Sequence, residues 1–166
     1  MNNHFVNEHL TVDMYMDDSD VDEERAVTYI TLGASQKYSV TGWCEVGFCS
    51  SKRLNYSQEQ SMLKVVSDII CELCEERNFE EDNLYPIPKE LKEEFGYDYF
   101  VTILCDMGFR NLDGNPILVI GLTPIYESEL NHLILVDTQA FMEDYFNIVP
   151  DNQQMAIDVK REPMNL

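Results

Sequence analysis

VIGLTPIYESEL, residues 119–130, carries an apolar run into a proline and then straight into an acid-bearing helical pattern. With the two residues before it, ILVIGL (117–122) is continuously apolar. That is the pattern of a central strand covered on both faces. Pro124 has no N–H to give to a ladder, so the strand is expected to end about there. Residues 127–135 read as a helix, and Asp137 or Thr138 is placed to cap another that carries Phe141, Met142, Tyr145 and Phe146. The stretch shows no motif that would hold a metal, attack a carbonyl or cradle a phosphate.

Working outward, YFVTILC (99–105) is a strand rich in β-branched and aromatic residues, and NLDGNP (111–116) is turn chemistry. Between 78 and 98, Pro86 and Pro88 mark a loop, with Pro88 opening a short helix that stops at Gly96. A long helix precedes it. Ser57 and Gln60 fit a capping box, and Met62, Val66, Ile69 and Leu73 recur at helical spacing beside Leu63, Ile70 and Cys74. Its acids Glu72, Glu75 and Glu76 gather towards the end, against the helix dipole.

The first third reads as strands. HLTVDMYM (9–16) alternates, AVTYITLGAS (26–35) is β-branched with a bend expected near Gly33, and SVTGWCEVGFCS (39–50) sets Cys44, Val46 and Phe48 on one side. DDSDVDEE (17–24) is a solvated connection. Residues 1–8 are expected to be frayed, and the tail after 147 has no clear period. The order β-β-β-α-(α)-β-β-α-α groups strands instead of alternating them with helices. It predicts one α+β domain over 1–166, with a mixed, largely antiparallel sheet packed by helices.

Composition narrows the function. Apolar residues make up 45% of the chain, so it buries a core, and no apolar run approaches the roughly 20 residues of a membrane span. The first residues lack the basic and apolar regions of a signal peptide, so a cytoplasmic protein is expected. Five scattered cysteines give no disulfide framework, and the Cys71/Cys74 pair reads as ordinary core cysteine in a helix. The three histidines, His4, His9 and His132, have no ligand or triad partner at a telling spacing. The seven glycines form no phosphate loop. No metal, no cofactor and no catalysis are expected. An unrecognised hydrolase would need a pocket joining His132 or His9 to a cysteine or serine.

The net charge of −20, from 31 acids against 11 bases, would repel nucleic acid and anionic membranes. It serves either solubility or a basic partner.

Several segments resemble suppressor-of-fused-like domains. VIGLTPIYESELNHL is similar to the family's late strand, proline and helix, with Pro124, Ile125 and Glu129 at the matching places. HLTVDMYM resembles its opening strand through His9, Asp13 and Tyr15, with an offset of one residue at His9. YITLGAS resembles a Thr-x-Gly-x-Ser signature through Thr31, Gly33 and Ser35, and CEVGF the strand after it through Glu45. DVKREPMNL resembles an Asp-x-x-Arg ending through Asp158 and Arg161. Ala34 departs from the family, where a larger apolar residue is common, and its helical leader has no counterpart in the eight residues before the first strand.

The resemblance implies a role without catalysis. Many bacterial members are immunity proteins or antitoxins that neutralise toxins, often nucleases, and the eukaryotic relative clamps a peptide of a transcription factor. The expected partner is therefore a basic protein toxin of nuclease type, with no direct binding to nucleic acid or membrane. Contacts are expected from exposed acids: Asp17, Asp18, Asp20, Asp22, Glu23 and Glu24 in one loop, and Glu75, Glu76, Glu80, Glu81 and Asp82 after the long helix. Thr31, Gly33, Ser35, Glu45, Pro124, Glu129, Asp158 and Arg161 are expected to shape the fold. The alternative is a phage or mobile-element inhibitor that imitates DNA.

Overall fold

The computed structural model describes residues 2–7, 10–16, 27–32, 43–76, 84–150 and 153–165. Its strands are β1 (Asn2–Asn7), β2 (Leu10–Met16), β3 (Val27–Leu32), β4 (Trp43–Ser50), β5 (Leu84–Pro86), β6 (Tyr99–Cys105) and β7 (Ile117–Ile125). Its helices are α1 (Tyr56–Glu76), α2 (Lys89–Phe95), α3 (Glu127–Val136) and α4 (Thr138–Ile148). One sheet takes the order β1-β2-β3-β4-β7-β6-β5. Every neighbouring pair is antiparallel except β4–β7, which is parallel. The sheet is thus mixed and largely antiparallel, and the fold is α+β.

The crossover from β4 to β7 explains why the middle of the chain is apolar on both faces. β7 is flanked by β4 and β6 and buried from Val119 to Ile125. On one face Val46, Phe48, Phe100, Ile120 and Leu122 pack with Met62, Val66, Ile69 and Ile70 of α1 and Leu91 and Phe95 of α2. On the other, Val101 and Ile125 pack with Leu133 of α3 and Phe141, Met142 and Tyr145 of α4. The helices form two layers with the sheet between them. Where β4 meets β3, a Cβ on Gly47 would stand 3.0 Å from the Tyr29 carbonyl oxygen and 3.1 Å from Val119 Cγ1. That contact reserves the site for glycine.

Several expectations are corrected. Residues 2–7 are not frayed but form β1, paired antiparallel with β2. The segment around Pro86 is a short strand on the sheet's far edge, where a missing N–H is tolerated. β7 continues through Pro124 to Ile125, with Pro124 opposite Phe100. Its parallel ladder to β4 ends at Gly121, so a proline at 124 removes no donor from that side. The box that caps α1 lies two residues before the expected one. Asn55 N–H donates to Gln58 Oε1 at 2.7 Å, and Gln58 N–H to Asn55 Oδ1 at 3.1 Å. Cys71 is exposed on α1 and not in the core. Pro88 and Gly96 bound α2, Gly96 with φ 86, and Asp137 caps α4 through Ala140 N–H.

Candidate functional site

A densely bonded polar group lies at the meeting of β7, α3 and the C-terminal tail. Glu129 stands in the first turn of α3, which places its carboxylate beneath the helix's free N–H groups. Its Oε2 accepts from Tyr126 N–H at 3.0 Å and its Oε1 from Met164 N–H at 2.8 Å. Arg161 reaches in from the tail and donates with both fork nitrogens, Nη1 to Oε1 at 2.5 Å and Nη2 to Oε2 at 2.7 Å. Glu129 is 1% exposed and Arg161 4%. The guanidinium also lies 5.1–5.6 Å from the ring centres of Tyr97, Tyr126 and Tyr145. Tyr126 donates its hydroxyl proton to the Arg161 carbonyl, and Tyr97 donates to that of Val159. Burial opposes the charge on Arg161, but Glu129 at bonding distance holds it protonated.

This group is full. Its carboxylate oxygens are taken, and its open faces are covered by aromatic rings. It fastens the tail. Two further straps do the same. Asp158 accepts from Ser51 N–H at 2.5 Å and from the Ser51 hydroxyl at 2.7 Å, while Ile157 N–H donates to the Cys49 carbonyl at 2.9 Å. Within the sheet, the Thr31 hydroxyl donates to Glu45 Oε2 at 2.6 Å and accepts from Val46 N–H at 2.9 Å.

The tyrosines around Arg161 give a pH prediction. Burial pushes Tyr97, Tyr126 and Tyr145 up, and the Arg161 charge only partly offsets it. A tyrosine whose folded pKa is raised holds its proton more tightly in the folded state. Its contribution is complete below the unfolded value of about 10 and is lost as pH rises through the folded value. Stability is therefore expected to fall above about pH 10, and Tyr97→Phe to make that fall shallower. Urea melts from pH 8 to 12 check this. An unchanged alkaline slope in Tyr97→Phe would refute it.

A second feature is open. A cleft of about 650 Å³ lies between β6 and α4, with Cys105, Met142, Phe146, Met155, Asp137 and Glu143 among its walls. Burial raises the Cys105 thiol pKa, away from a nucleophilic thiolate. His132 does not line this cleft. Its Nε2 stands 2.9 Å from Asp144 Oδ2, a link between α3 and α4. Among the described residues no group of three His, Cys, Asp or Glu is placed to hold a metal. None of their helices is long and apolar enough to cross a membrane.

No family model matches this sequence, and no curated protein matches it. Solved structures do. A SUFU (suppressor of fused protein) homolog from Neisseria gonorrhoeae superposes with a TM-score of 0.64 at 13% identity, over 92% of this chain and 76% of its own. The Sufu–Fu complex gives a TM-score of 0.57 at 14% identity, over 90% of this chain and 73% of the other. This chain has the suppressor-of-fused-like fold. At such identity the likeness is one of fold.

Within this suppressor-of-fused-like fold, the motif residues fall into three places. Pro124, Glu129 and Arg161 meet in the buried group, where the Pro124 carbonyl oxygen lies 3.4 Å from Arg161 Nη2. Thr31 and Glu45 meet across β3 and β4, and Asp158 is bonded to Ser51 instead. Gly33 and Ser35 lie outside the described residues, as do Asp17, Asp18, Asp20, Asp22, Glu23, Glu24, Glu80, Glu81 and Asp82. Glu75 and Glu76 end α1. The cleft had no sequence motif to announce it. Its only trace was the Met142/Phe146 pair, four residues apart on α4.

Proposed function

We propose that this protein is a non-catalytic immunity protein, an antitoxin that occludes a basic protein toxin of nuclease type. The observation that carries the reading is a net charge of −20 on a suppressor-of-fused-like fold. The excess acids favour a cationic partner, and steering by such a surface speeds capture. One solved structure with this fold is that of the Sufu–Fu complex, so the fold serves protein binding in that case. The same charge also suits a protein that imitates DNA to block a nucleic-acid-handling enzyme, and the test separates the two.

That test is a tagged pull-down from native host cells, washed at low and high salt, with partners identified by mass spectrometry. One dominant basic partner with a toxin or nuclease domain is expected, released more readily at high salt. Several unrelated DNA-handling enzymes would favour the mimic. No protein partner would overturn both readings.

A further inference from the structure

We propose that the cleft between β6 and α4 is a docking groove for a partner's peptide segment in which apolar side chains alternate with lysine or arginine. Its size, about 650 Å³, lies within the range of sites that enclose a few side chains. Ile103, Met142, Phe146 and Met155 give it an apolar wall, and Phe146, whose ring meets Tyr145 edge-on at 5.6 Å between centroids, is 43% exposed. Methionines suit such a wall because they adapt to the shape that enters.

The charge selects the occupant. Asp137 and Glu143 line the cleft, and among the described residues no lysine or arginine does. Asp137 uses Oδ1 to cap α4 through Ala140 N–H, and Glu143 uses Oε1 to meet the Gln139 amide at 3.3 Å. Among the described residues the second oxygen of each carboxylate meets no donor. A segment that covered the groove without bringing positive charge would strip water from both carboxylates uncompensated. A lysine or arginine beside the entering apolar side chain meets that need. The base that follows β6 in sequence, Arg110, is held by Asp106 at 3.0 Å and is not there to fill the role.

Backbone strain gathers at the same place. Asp137 and Met155 are the two non-glycine residues with left-handed φ among the described residues, at 71° and 57°, and both line this cleft. Such conformations concentrate where binding or catalysis holds them. Beyond the groove, β6 runs into a turn that exposes Met107, Phe109 and Leu112.

The inference rests on the protein-binding reading, and methionine-methyl NMR tests it on the full chain. The probe is a synthetic twelve-residue peptide alternating leucine and lysine. Leucine–glutamate and serine–lysine peptides are the controls. The leucine–lysine peptide is expected to move the methyl signals of Met142 and Met155 while that of Met62, fully buried on the inner face of α1, stays put. Glu143→Lys and Phe146→Ser, both at exposed positions, are each expected to weaken binding by about tenfold. Still signals at Met142 and Met155, or equal shifts with the leucine–glutamate peptide, would overturn the proposal. Movement of Met107 alone would place binding on the turn and overturn it too. The two readings fail separately. A basic partner caught in the pull-down whose affinity ignores Glu143→Lys and Phe146→Ser would sink the groove and leave the antitoxin role standing.

Discussion

Arg161→Met is expected to destabilise the protein by about 3–5 kcal/mol, the cost of leaving one half of a buried ion pair behind. Glu129 would keep its bonds to Tyr126 N–H and Met164 N–H but lose both charged donors. A carboxylate that is 1% exposed has no water to replace them. The loss also frees the tail, since Ile157 and Met164 are buried only while residues 157–164 lie against the sheet and α3. Arg161→Lys should recover little, because one ammonium does not reproduce two parallel bonds or lie flat among three rings. The double change Arg161→Met with Glu129→Leu should recover part of the loss by removing the stranded charge. It still leaves Tyr126 and Met164 N–H without an acceptor. Urea melts of the three variants decide the matter. A loss below about 1 kcal/mol for Arg161→Met would mean that the pair is peripheral to stability.

How far the sequence revealed this depends on where the forces are local. β7 was legible because burial on both faces leaves a continuous apolar run, and α1 because one face repeats at helical spacing. The ends were less so. The cap of α1 is Asn55 with Gln58, while Ser57 with Gln60 fits the same pattern two residues on; only the bonds distinguish them. β1 was missed because NNHFVN lacks alternation, and its pairing with β2 is a tertiary fact. Cys71 was misread because a cysteine among apolar residues looks buried until the helix phase is fixed. The Glu129–Arg161 pair was legible only as two separate motif residues. They are 32 positions apart, and no spacing rule joins them. Beyond the Met142/Phe146 spacing the cleft left no mark in the sequence, because β6, α4 and Met155 meet only when the chain folds.

Reversing the acids is expected to slow capture of the partner by about ten- to a thousandfold at low salt, with the dissociation rate changing much less. One variant would carry lysine at Asp17, Asp18, Asp20, Asp22, Glu23 and Glu24, another at Glu75, Glu76, Glu80, Glu81 and Asp82. Charges that steer act before contact, over distances that salt shortens to about 8 Å at physiological ionic strength. Raising the salt should therefore slow the unaltered protein towards the rate of the variants, while the variants respond weakly. The last turn of α1 carries no base, so lysine at 75 and 76 complements the helix dipole where glutamate opposes it. Urea melts of both variants beside the parent separate a loss of binding at the interface from a loss of folding. Stopped-flow association with the captured partner across a salt series measures both effects. Equal rates and equal salt slopes for parent and variants would show that these acids keep the protein in solution and do not choose its partner.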